Sequence, residues 1–268
     1  MARKQRNTTN LPAPYLRRLW LDRARIADPS LYPFHLPLFS GEFELSFTRP
    51  ITILVGENGT GKSTLLEGIG VLAGYDEAGG GKGYRPVDHS RAIEANGGRL
   101  AEAVRASWLP KVTNGWFCRA ESFFSVARYL DEAALDSGGM PPDFLSRSHG
   151  EGFLRFFTER CQRQGLYIFD EPESALSPSR QIEFLKLLRR MENSRHCQVL
   201  MATHSPLLMA YPGAQLLRLT AEGIAPVTLR DTDHFQLMQR FCEVPEQFVD
   251  AVFEEDDPLF LRGFAGED

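Results

Sequence analysis

Residues 51–64 read ITILVGENGTGKST, and this stretch constrains the fold more tightly than any other in the chain. The first five residues are apolar or β-branched without a break, the composition of a strand covered on both faces. The glycines at 56, 59 and 61 follow at once, then Lys62, Ser63 and Thr64. The spacing fits G-x-x-x-x-G-K-[ST]. Glycines let backbone N–H groups converge on an anion without side-chain clashes, and the N-terminus of the helix that follows adds its dipole. Gly56, Glu57, Asn58, Gly59, Thr60, Gly61, Lys62, Ser63 and Thr64 therefore form a candidate phosphate loop. Lys62 is placed to reach β- and γ-phosphates, Ser63 to ligate Mg²⁺, and Thr64 to touch the α-phosphate. The second glycine-rich run, GGGKG at 79–83, has no strand before it and no Ser or Thr after its lysine, and reads as a loop.

Around this unit, strands and helices alternate. FELSF (43–47) alternates apolar and polar residues, and GWFCRAE (115–121) is a short strand candidate leading into a helix over 122–135. A helix is expected from Ser148, strands at 166–170 and 197–202, a helix over 178–193 and a short one after Ser205. In the helix over 178–193, Ser177 is placed to cap, Pro178 to take the first position, and Ile182, Leu185, Leu188 and Met191 to form the apolar stripe. Strands near 214–219 and 224–229 precede helical segments in the tail. The pattern predicts an α/β chain with a largely parallel sheet. No internal repeat and no sustained heptads occur.

LYIFDEPESAL (166–176) drives four apolar residues into two adjacent acids. A buried carboxylate needs a partner. Phosphoryl chemistry needs a second Mg²⁺ ligand, which an acid at the end of a neighbouring strand supplies. Asp170 fits that role. Glu171 comes one residue later, where a carboxylate can orient and deprotonate an attacking water.

The phosphate loop, LYIFDEPESAL and ATHSP (202–206) together resemble the ABC-type ATPase family over about residues 15–220. The resemblance implies a three-layer P-loop fold: a mostly parallel central sheet, an N-terminal antiparallel β part and a helical subdomain, here about 75–160. A C-terminal extension, about 221–268, carries no readable motif. It implies ATP and Mg²⁺ as ligands, with Glu171, His204 and Lys62 as catalytic groups and His204 on the γ-phosphate. It implies a signature motif, for which SHGEG (148–152) is the candidate, offering Ser148, His149, Gly150 and Glu151 to the partner's ATP. This stretch departs from the transporter form L-S-G-G-Q and is nearer to variants in small soluble ATPases of the group. Ser177 stands where the family usually has Asp. Glu121, in CRAESFF, stands where the family's Gln loop gives a Mg²⁺ contact, and as a helix-start acid it also complements the dipole. Tyr32 and Phe34 are candidates for stacking on adenine. Because a chain cannot bring its own signature onto its own phosphate loop, the resemblance implies a head-to-tail homodimer closing on ATP.

Composition narrows the setting. A net charge of −5 argues against a whole-domain nucleic-acid footprint. Local basic groups stand at Arg17, Arg18, Arg23 and Arg25 in RRLWLDRAR, which reads equally as the polar face of an edge strand. No run approaches the ~18 apolar residues of a membrane span. The basic start MARKQR lacks an apolar stretch after it, and the four scattered cysteines read as reduced thiols, so a cytoplasmic setting is expected. The first reading is an ATPase dimer whose closure acts on a macromolecule, nucleic acid or a defence-system protein. Forms with a long coiled coil are excluded, because only 86 residues lie from Lys62 to Ser148. The alternatives are the ATP-binding subunit of a transporter and a nucleotide-gated or toxin-system module with little turnover.

Overall fold

The computed structural model describes residues 11–77, 79–82, 97–119 and 149–253. Two sheets organise them. Strands β1 (Leu16–Leu21) and β2 (Glu44–Ser46), with β4 (Val104–Trp108), form an antiparallel sheet in the order β2-β1-β4. The larger sheet runs β5-β6-β7-β3-β8-β9, with β3 (Ile51–Val55), β5 (Gly115–Arg119), β6 (Gly165–Asp170), β7 (Cys197–Ala202), β8 (Gln215–Thr220) and β9 (Gly223–Pro226). Its first five strands are mutually parallel, and β9 returns antiparallel on β8.

The residues of β3, β6 and β7 are all buried, and alternate positions serve two cores. Ile51, Ile53, Val55, Tyr167, Phe169, Val199 and Met201 face one side. There they meet α4 (His149–Arg160) and α5 (Pro178–Ser194). Phe169 lies between Phe157 and Phe184, with ring centroids 5.0 Å from each. Leu54, Ile168, Leu200 and Ala202 face the other side, with α2 (Lys62–Ala73) and the antiparallel sheet. The result is three layers around the larger sheet.

Two glutamine side chains fasten the sheets together. Gln198 in β7, fully buried, accepts the N–H groups of Tyr15 and Leu16 at 2.8 Å each and donates to the Leu16 carbonyl at 2.9 Å. Gln215 in β8 accepts from the Thr48 N–H and donates to the Ser46 carbonyl, both at 2.9 Å. A primary amide offers the same donor and acceptor as a strand's peptide group, so it can satisfy backbone that has no neighbouring strand.

Three sequence expectations are corrected. β1 is the central strand of its sheet, not an edge, because β2 and β4 pair on both sides. The buried face of α5 is Phe184, Leu187, Leu188 and Met191, while Ile182 is 50% exposed. The stripe is displaced because the phenylalanine cluster captures Phe184. Ser177 precedes α5, but its hydroxyl meets Ser179 and makes no cap bond to the helix. Within 75–160, the described residues include β4, β5 and the short helix α3 (Gly97–Ala103) that packs on α2, as well as α4. The expected helix over 122–135 lies outside the described residues.

Candidate nucleotide site

Sheet register gathers the site. Leu54 pairs with Ala202, Ala202 with Asp170, and Asp170 with Arg119. The segments leaving β3, β7 and β6 therefore start in one row at the carboxyl edge of the sheet. A crevice outside the carboxyl ends of parallel strands is where ligands bind in such folds.

After β3 the chain turns through Gly56, Gly59 and Gly61, with φ of 149°, 82° and 93°. At Gly56 a Cβ would lie 2.5 Å from the Leu219 carbonyl, so only glycine fits. Gly61 precedes α2 in the left-handed region and leaves the first turn's N–H groups without side-chain caps. Lys62 is 4% exposed, and its ammonium donates to the carbonyls of Gly56 and Glu57 at 2.7 and 2.9 Å. The lysine thus curls over its own loop. Burial lowers its pKa, and Glu171 and Asp170 act against that.

The Ser63 hydroxyl donates to Asp170 Oδ1 at 3.1 Å. Asp170, at the end of β6, is 5% exposed, and burial raises its pKa to about 6 although Arg119 opposes the shift. Arg119 Nε lies 3.8 Å from Asp170 Oδ2, and Arg119 Nη1 donates to Glu67 Oε1 at 2.7 Å. Arg119 and Glu67 belong to the site, although the sequence reading missed both. Their signal was the sheet order, since Arg119 meets Asp170 only once β5 is known to lie beside β6.

Glu171 sits in the left-handed region at φ 49°, its N–H bonded to the Ala202 carbonyl at 3.0 Å. The side chain is 40% exposed, and its Oε1 lies 3.6 Å from His204 Nε2. The His204 N–H donates to Glu173 Oε1, and its Nδ1 meets Nε2 of His234 at 2.8 Å. His204 Nε2 is buried without a hydrogen-bond partner. Burial lowers the His204 pKa, and Lys62 and His234 lower it further. Glu173 and His234 are additions to the sequence reading. His234 lies in the tail, whose composition carries no motif.

Other sequence candidates fare differently. The Thr64 hydroxyl is bonded to the Tyr32 hydroxyl. Phe34 is buried in the core beside Leu38 and Phe39 and offers no stacking face, which removes it as an adenine platform. Gly150 is packed under the Ala175 carbonyl and the Arg180 side chain, and Glu151 lies 4.0 Å from Arg180. Ser148 and Glu121 lie outside the described residues, and only the backbone of His149 is described. Three of the four arginines of 17–25 are engaged locally. Arg18 pairs with Glu44, Arg23 donates to the Ser40 and Gly41 carbonyls, and Arg25 donates to the Glu102 carbonyl.

The residues fit Mg²⁺ with a nucleotide. Two hard oxygens, Ser63 Oγ and Asp170 Oδ1, stand 3.1 Å apart, near the ~3 Å between adjacent oxygens around an ion with 2.0–2.1 Å bonds. A buried, unpaired His204 Nε2 and a loop of glycine N–H groups supply further partners for phosphate oxygens.

Comparison with known proteins places the chain in a family. Residues 143–210 match the family described as "AAA domain, putative AbiEii toxin, Type IV TA system", and residues 35–108 match one described as "AAA domain". The aliphatic sulfonates import ATP-binding protein SsuB of Mycobacterium sp. (strain MCS) is 31% identical over 69% of this chain and 71% of its own. The zinc import ATP-binding protein ZnuC of Vibrio cholerae is 30% identical over 58% of this chain, which spans 56% of that relative's length. The SMC head domain from Thermotoga maritima is 17% identical, covering 80% of this chain and 99% of its own, with a TM-score of 0.44. The chain belongs to the ABC-type P-loop ATPases, the family of these ATP-binding proteins. Among the described residues, no helix is long and apolar enough to cross a membrane.

Proposed function

We propose that this chain binds ATP with Mg²⁺ and hydrolyses it to ADP and phosphate as an ATP-sandwiching homodimer, coupling closure to a macromolecular partner. The observation that carries the reading is the convergence of Glu171 and His204, 3.6 Å apart, beside the loop that Lys62 covers. In the reaction, water oxygen bonds to the γ-phosphorus, the bond to the bridging oxygen breaks, and ADP leaves. Glu171 orients the water and takes its proton. Lys62 releases the Gly56 and Glu57 carbonyls for the β- and γ-phosphates, and His204 Nε2 donates to a γ-phosphate oxygen. Ser63 and Asp170 would hold Mg²⁺, which spreads the charge of the transferring group. The candidate signature, Ser148, His149, Gly150 and Glu151, serves the ATP of the second copy. The setting is cytoplasmic.

For the partner, the local pairing of Arg18, Arg23 and Arg25 weakens the nucleic-acid reading, and a protein partner of a defence or maintenance system is preferred. The second reading is the ATP-binding subunit of an importer, favoured by the printed functions of both curated relatives.

The test is turnover and solution mass of wild type and Glu171→Gln, with and without ATP and Mg²⁺. Wild type hydrolyses ATP, while the variant stops and accumulates as an ATP-bound dimer. Normal turnover by the variant would remove Glu171 from its role, and absence of ATP binding by both would end the reading.

A further inference from the structure

Beyond the phosphate loop and its acids, the C-terminal extension reaches the site. After β9 the chain forms a short turn over Leu229–Asp231 and enters α7 (Asp233–Glu243). Thr232, 1% exposed, fixes this entry. Its hydroxyl accepts the Phe235 N–H at 3.3 Å and donates to the Leu229 carbonyl at 2.7 Å. His234, two residues on, is thereby held against His204, with ring centroids 4.9 Å apart.

Two facing imidazole nitrogens 2.8 Å apart share one proton. If His204 donates from Nδ1, its Nε2 carries a bare lone pair. If His234 donates from Nε2, then His204 Nδ1 accepts and the His204 proton sits on Nε2. Glu171 Oε1, 3.6 Å from His204 Nε2, chooses between them. A lone pair facing a carboxylate is repelled, and an N–H facing it is attracted. Among the described residues, that nitrogen has no hydrogen-bond partner to compete with this pull.

We infer that His234 is a positioning residue, donating from Nε2 to His204 Nδ1 and so holding His204 as the tautomer that presents an Nε2–H to the γ-phosphate. The C-terminal extension then completes the hydrolytic site. This rests on the proposed role of His204 as a phosphate donor. The lowered pKa of His204 agrees with it, since a neutral ring acts as a donor only in the right tautomer.

Two experiments test it. Long-range ¹H–¹⁵N spectra of the ¹⁵N-histidine-labelled, nucleotide-free protein should show the His204 proton on Nε2, with His204→Gln giving the assignment. A proton on Nδ1 overturns the inference. This readout needs no turnover, so it stands even if the hydrolytic reading fails. In kinetics, His234→Gln keeps an N–H donor near the Nε2 position and His234→Met keeps bulk without a donor. The Met variant should lose about tenfold in kcat with KM within about twofold, and the Gln variant should stay within about threefold of wild type. Equal loss in both variants, or loss in neither, overturns it.

Discussion

Ser63 and Asp170 stand 107 residues apart in the chain and share one hydrogen bond of 3.1 Å. Each is held by a different element, the first turn of α2 and the last residue of β6. The bond ties the phosphate loop to the acid strand before any ligand arrives.

That bond implies opposing effects for Asp170→Asn. Turnover should fall on the order of 100-fold, because the Mg²⁺ site proposed at Ser63 and Asp170 would lose its anionic ligand. The nucleotide-free protein should instead melt about 2–4 °C higher, because burial disfavours the charged carboxylate. Phosphate release across a Mg²⁺ series and a thermal melt check both directions. A variant that loses stability along with activity would contradict this account.

Gly56 and Gly59 should respond unequally to substitution. Gly56→Ala drives a Cβ into the Leu219 carbonyl and should cost about 2–3 kcal/mol, with weakened nucleotide binding. Gly59 has a left-handed φ but open space around it. Gly59→Asn, which tolerates that conformation, should cost less than about 1 kcal/mol. Denaturant unfolding and fluorescent-nucleotide titration compare the two.

Glu67 sets a pH dependence. Burial raises its pKa from 4.5 to about 7 against the pull of Arg119. Between those values the folded chain binds more protons than the unfolded chain, so this group's contribution falls as pH rises. Glu67→Gln should flatten the stability profile between pH 4.5 and 7, removing up to about 3 kcal/mol of the decline. Urea unfolding at several pH values measures it, and parallel profiles would refute it.

Phe184→Ala opens the aromatic cluster between α5 and β6. Phe184 is fully buried against Phe153 and Phe169. The loss should be about 3–5 kcal/mol. Ile182→Ala, on the exposed face of the same helix, should change stability by less than about 0.5 kcal/mol. Chemical denaturation of the pair tests which stripe faces inward.

The local build of the candidate site was largely legible in the sequence, because a strand, a glycine turn and a helix are contiguous there. Lys62, Ser63, Asp170 and Glu171 follow from motifs within a few residues of a strand end, and His204 from the family resemblance. Arg119, Glu67, Glu173 and His234 were not legible as site neighbours. Arg119 and Glu67 reach it through strand order and through α2 packing, which no local pattern encodes. The stripe of α5 was misread for a similar reason. Periodicity gives a face, but the choice between Ile182 and Phe184 depends on which aromatic rings wait across the interface. RRLWLDRAR allowed an edge-strand reading of β1 through its arginines, yet a polar face says nothing about pairing in the plane.

Gln198 and Gln215 give the molecule its mechanics. Each replaces a missing strand at one end of the antiparallel sheet, and together they act as two bolts through adjacent ribs of the larger one. A plate held at two separated points cannot swivel about either. β7 and β8 flank β3, so the ribs carrying the bolts are neighbours of the strand that delivers the phosphate loop. The small sheet is therefore anchored to both neighbours of the strand that delivers the phosphate loop, so the loop's root and the antiparallel sheet share one set of fastenings.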